Sequence, residues 1–307
     1  MDRPDSSNAA RPPGFTRRLL PVLTCGLLGV ATLLLQPLPP ALLEQAPSLA
    51  GLPVSLQRLM LAMNPLALML IASLTGAALA HRVGLHSLLA GTAEWRGLRP
   101  LLASGCGPGL LVAVMVFGLD AALALWLGET WRHGASSRPG WRELLMNLLY
   151  GGIGEEILCR WGLMVLLLRL LTPRGSRATR NIAVPCAIAL SALAFGAAHL
   201  PLLATRFEMD TPLVMRTLLL NGLGGIAYGW LFWRHHLEAA MTAHASTHLG
   251  LAAQRRVLTL QVPSTTFKRG RHAYPHRGTP DRAAKTPAPE HFADCRARRS
   301  RLCRAAR

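Results

Sequence analysis

Charge is scarce in this chain. Asp, Glu, Lys and Arg make up 16% of its 307 residues, against 51% hydrophobic ones, and mean hydropathy is positive at +0.30. A chain this apolar is not a solvated, disordered polymer. The six cysteines form no Cys-x-x-Cys pair, so neither a zinc knuckle nor a disulfide framework is indicated. Cys25, Cys106, Cys159 and Cys186 lie in apolar stretches and are expected to be small buried fillers, while Cys295 and Cys303 fall near the C-terminus. The His-Glu-x-x-His pattern of zinc peptidases is also missing, because Ala245 stands where its glutamate would be. No repeat relates the two halves, as would be expected of carriers built from inverted repeats.

What the chain does have is long apolar runs. Seven are visible, at 19–35, 59–80, 101–127, 144–171, 182–203, 213–233 and 237–253. Crossing ~30 Å of hydrocarbon takes about 20 residues at ~1.5 Å each. The middle five suffice, and the first and last are marginal. The expectation is an all-α polytopic transmembrane bundle of about seven spans, possibly eight, covering 19–253. Arg17-Arg18 before a leucine-rich run also fits a secretory signal peptide, but Gln36-Pro-Leu-Pro-Pro replaces the small-residue cleavage site, which favours an uncleaved span. Basic residues concentrate in 1–18 and in the 81–100 and 172–181 loops, which puts these and the N-terminus in the cytoplasm; three arginines in 128–143 blur the pattern.

From Gln254 to the end, fourteen Lys/Arg face three Asp/Glu, supplying +11 of the +18 net charge. This stretch lacks periodicity and reads as a disordered basic tail. A solvated tail is favoured over a tether to nucleic acid or anionic lipid, and no nucleic-acid partner is expected. Seven spans would leave it on the side opposite the N-terminus, against the positive-inside tendency.

The strongest local signal is Gly-Gly-Ile-Gly-Glu155-Glu156-Ile-Leu-Cys-Arg160, inside the fourth run. Each charge facing lipid at the bilayer centre would cost roughly 2.5–3.5 kcal/mol, so these side chains should face the protein interior. Glu156 and Arg160, four apart, share a helix face and can pair. Glu155 has no such helical partner and is left for chemistry. The next run holds Phe195-Gly-Ala-Ala-His199, with Phe195 and His199 on one face. Counted from the shared ends of their spans, Glu155 and His199 stand at about 24 and 26 Å, effectively level. His244-Ala-Ser-Thr-His248 puts two more imidazoles on one face, a possible zinc half-site. Gly225 and Gly229 form a small-residue face expected to pack. Asp120 is expected either to pair with a neighbour or to end its helix.

These three motifs, in order and each in its own apolar run, resemble those of the CPBP family. That family comprises intramembrane endopeptidases related to type II prenyl-protein (Cys-a-a-X) proteases and to bacteriocin-processing and immunity proteins. Leu149-Tyr-Gly-Gly, Gly229-Trp-Leu-Phe-Trp and Ala239-Ala-Met-Thr-Ala-His244 add to the resemblance, which covers about 141–250, with a weak match at Arg82-Val-Gly-Leu-His-Ser87. It implies a catalytic core over about 141–253 and hydrolysis of a membrane-associated protein or peptide. Glu155 and His199 would activate water, Glu156 and Arg160 would support them, and His244 and His248 would stabilise the oxyanion. The family usually has Asn or Asp where His248 stands, and typically eight spans. If a divalent metal such as zinc takes part, its ligands would come from Glu155, His199, His244 and His248; a metal-free, glutamate-based mechanism is slightly preferred. The implied location is a bacterial inner (plasma) membrane. The alternatives are an ion-coupled carrier and a catalytically silent immunity or scaffold protein.

Overall fold

The computed structural model describes residues 12–38, 43–44, 47–127, 140–172, 177–205 and 207–261. Each of the seven apolar runs falls mostly within a long helix: α1 Phe15–Leu33, α2 Val54–Leu79, α3 Leu98–Leu127, α4 at 141–171, α5 Arg177–Ala198, α6 Thr211–Arg234 and α7 Leu237–Gln261. Among the described residues there is no strand. Four segments, Phe15–Leu33, Val54–Val83, Leu98–Leu125 and Thr179–Ala204, are long and apolar enough to cross a membrane by length and composition. Their outer faces carry Leu28, Ile71, Leu111 and Ile182, all exposed. A protein in water would bury such a surface, and lipid has no reason to exclude it.

Pro21, Pro65, Pro108 and Pro185 each lie inside a helix. Each removes one backbone donor, which membrane helices tolerate because neighbours re-satisfy the freed carbonyls. Small residues bring the helices close. A Cβ on Gly109 of α3 would collide with the Ala243 backbone of α7, and one on Gly225 of α6 would lie 2.8 Å from the Ala192 Cβ of α5. The expected packing face at Gly225 and Gly229 is therefore present against α5. Asp120 meets a neighbour: Arg216 of α6 grips both its oxygens at 2.7 Å, tying α3 to α6.

Two expectations about the helices change. α4 is not a regular α-helix: an α-helical turn, Trp141–Met146, leads into π-helical segments Asn147–Glu155 and Ile157–Met164 before α-geometry resumes at Val165–Leu171. π-Winding is rare and tends to mark functional positions. The glycines at 151, 152 and 154 have little α-helical preference to lose. The wider turn alters which residues share a face and shortens the rise per residue, so depths counted at α-helical pitch do not hold along α4. The last helix also runs to Gln261, so 254–261, read as the start of the tail, are helical. The rest of the tail with Cys295 and Cys303, the N-terminal residues 1–11 and loop residues 128–139 lie outside the described residues. Cys186 is exposed on α5 and is not the buried filler expected; Cys25, Cys106 and Cys159 are partly buried.

At the end of the bundle where α2 stops and α3 begins, the chain is anchored by Glu238 in the first turn of α7. Its carboxylate accepts hydrogen bonds from Ser87 Oγ at 2.6 Å and from the backbone N–H groups of Leu88 and Leu89 at 2.9 and 3.0 Å. Leu237 N–H donates to His86 O. Arg180 Nη2 donates to Val83 O and Arg18 Nε to Ala77 O, so two basic residues of the sequence pattern hold helix ends together.

Candidate active site

α4 supplies the charged centre. Glu156 and Arg160 are fully buried, with Arg160 Nε 3.2 Å from Glu156 Oε2. The angle is poor, and neither atom has an aligned hydrogen bond, so charge alone holds this contact. Arg160 is fixed elsewhere: Nη2 donates to Gly225 O at 2.8 Å, and the guanidinium lies 4.9 Å from the Phe195 ring centre and 5.5 Å from that of Tyr228. Arginine's flat, weakly hydrated head suits such a slot.

The second oxygen of Glu156 reaches α7. Its Oε1 is 2.8 Å from His244 Nδ1. A carboxylate can only accept, so the hydrogen belongs to Nδ1, which leaves the Nε2 of neutral His244 with a lone pair. That Nε2 faces Glu155 Oε2 across 3.9 Å. The gap is too long for a hydrogen bond, while a water beside the pair can touch both. The imidazole is clamped between Tyr228, at 4.5 Å between ring centres and 18° between planes, and His248, at 4.8 Å and 22°. Tyr228 OH donates to Thr247 Oγ1 at 2.8 Å, and Thr247 shares its hydrogen between the Gly109 and Ala243 carbonyls. The order is Arg160, Glu156, His244, Glu155. The first two members have no solvent access, while the Glu155 side chain is 20% exposed.

His199 stands at the break between α5 and the short helix Leu200–Ala204. Its Nδ1–H donates to Phe195 O at 2.8 Å, leaving Nε2 as a free acceptor. Among the described residues no hydrogen bond or ion pair joins it to Glu155. Phe195 connects the two motifs instead, meeting His199 edge-on at 4.9 Å and His244 at 5.5 Å.

His248 lies half-buried on the far face of His244, its Nε2 without a hydrogen-bond partner among the described residues. Space for it comes from Gly151, where a Cβ would stand 2.7 Å from that nitrogen. Gly151→Ala should therefore destabilise the protein by about 1–3 kcal/mol, and by less than half as much in a His248→Asn background. Thermal unfolding in detergent reads both; equal losses in the two backgrounds would show that the glycine serves something else.

Among the described residues no group of three or more His, Cys, Asp or Glu side chains is placed to hold a metal ion.

All six residues singled out in the sequence thus lie in or beside one centre, with His199 at its edge. Three contributors were not singled out: Tyr228, Thr247 and Gly151. A lone bulky tyrosine in the glycine-rich stretch 222–229 was the one available signal for the first.

A helical bundle with two carboxylates, a guanidinium and three imidazoles at its core has the make-up of a membrane-embedded enzyme. Residues 137–250, which include every one of these groups, match the family described as type II CAAX prenyl endopeptidase Rce1-like. The match, which covers this region and not the whole chain, supports membership of the CPBP group of CAAX-type intramembrane proteases. No curated protein and no solved structure matches the chain.

Proposed function

We propose that this protein is an intramembrane endopeptidase that cleaves a membrane-associated protein or peptide with water activated by Glu155. The observation that carries this reading is the unbonded Glu155 carboxylate facing a histidine whose other nitrogen is held by Glu156. Glu155 takes a proton as the water oxygen bonds to the scissile carbonyl carbon. It returns that proton to the departing amine as the C–N bond breaks. His199 Nε2 accepts the water's other hydrogen and orients it.

His244 and His248 stabilise the tetrahedral oxyanion. With its Nδ1–H on Glu156, His244 donates from Nε2 only after taking a proton there. Glu156 and Arg160 are positioning residues that set the ring's orientation. The residues require no metal for these steps. The protein is read as lying in a bacterial inner membrane, with the N-terminus and the 81–100 loop cytoplasmic.

Purified protein in detergent should cut a membrane-associated peptide, with products identified by mass spectrometry, and a chelator should leave the rate unchanged. Loss of cleavage with the chelator, restored by zinc, would overturn the metal-free mechanism. Proton-coupled flux in liposomes without any cleavage would favour a carrier.

A further inference from the structure

A cavity of about 910 Å³ opens at the end of the bundle formed by the 86–97 loop, the start of α3 and the α6–α7 turn. It is away from the Glu155 centre and unused by the chemistry above. Arg96, Arg234, His235 and His236 line it, with Glu94 as its one acidic lining residue. Neither arginine makes a hydrogen bond or ion pair among the described residues; Arg234 rests over the Trp233 ring at 5.6 Å. His236 shares the Glu238 carboxylate at 3.2 Å. Burial, with His236 and Arg234 beside it, holds the His235 imidazole below its ordinary pKa. The cluster is short of negative charge.

Trp95 and Trp230 also line the cavity and are 63% and 48% exposed, with Leu98 and Leu102 exposed nearby. Exposed tryptophans beside basic residues at the end of a membrane bundle mark the headgroup level. The wall is preformed, since Glu238 pins Ser87, Leu88 and Leu89. Basic pockets between helices at the cytoplasmic face recognise anionic headgroups, and a guanidinium matches a phosphate in a two-point grip.

We infer that this cavity binds the phosphate of an anionic glycerophospholipid headgroup, with Arg96 and Arg234 on the phosphate and Trp95 and Trp230 at the glycerol level. Its lining favours a lipid over a soluble anion because the aromatic rim continues the bundle's apolar surface.

The full-length protein, reconstituted in phosphatidylcholine bilayers doped with phosphatidylglycerol, is released into native mass spectrometry and its retained lipids are counted. Arg96→Gln/Arg234→Gln should retain phosphatidylglycerol roughly thirtyfold less than wild type. Arg142→Gln, an exposed arginine at the opposite end, should retain it normally, and millimolar inorganic phosphate should not displace it. Arg96→Gln alone, at an exposed side chain, should show part of the loss with unchanged thermal unfolding. Equal retention by all variants would reduce the lipid to unspecific annular contact and overturn the site. Displacement by inorganic phosphate would assign the cavity to free phosphate and overturn the lipid. Retained lipid with weakened peptide binding would assign the cavity to an anionic end of the substrate, also against the proposal. The readout is binding, so it does not depend on the proposed peptidase chemistry.

Discussion

Glu156→Ala is expected to lower the stability of the bundle by about 3–5 kcal/mol, the largest stability loss of any single substitution at the centre. Arg160 has no solvent access and would lose its one carboxylate partner. Gly225 O and the two aromatic rings would remain, and none of them carries a compensating charge. His244 would lose the acceptor of its Nδ1–H as well. Since folded domains keep only about 5–15 kcal/mol in hand, the variant should unfold far earlier in detergent. Because the pair is fully buried, added salt should not reproduce the loss. Replacing both partners, as Glu156→Met/Arg160→Met, should destabilise less than Glu156→Ala alone, because no uncompensated charge is left inside. A double variant less stable than the single one would mean that the ion pair is not what the carboxylate is for.

The long apolar runs made the helices legible, since nothing else satisfies a backbone in hydrocarbon. The intramembrane charges made the centre legible, because Glu155, Glu156 and Arg160 are too costly to face lipid. What escaped were relations between distant segments. Glu156 and His244 are 88 residues apart, and their contact follows from how α4 and α7 pack. The pairing of Glu156 with Arg160 was legible as an i, i+4 relation, yet the α-helical assumption behind it was not met, because α4 winds as a π-helix through both residues' neighbourhoods. The level count for Glu155 and His199 used the same assumption. The structure links these residues through Phe195 and His244 rather than directly. Gly151 could not be understood before His248 was seen against it, since a glycine in an apolar run reads as helix packing of any kind. Glu238 was unremarkable in the sequence because its partners are backbone N–H groups some 150 positions earlier.

The largest effect on activity is expected at Glu155. Its side chain makes no hydrogen bond among the described residues and is partly open, so Glu155→Gln keeps the shape and removes only the charge and the basicity. Stability should change by no more than about 0.5 kcal/mol, while a lost general base slows hydrolysis by roughly 10²- to 10⁴-fold. The two variants thus separate: Glu156 governs whether the centre holds together, and Glu155 whether it reacts. The deciding measurement is the initial rate of membrane-peptide cleavage by purified wild type and Glu155→Gln, side by side, with thermal unfolding recorded on the same samples. The account predicts matching unfolding curves and a rate at least roughly 10²-fold lower in the variant. Cleavage by Glu155→Gln at the wild-type rate would contradict it.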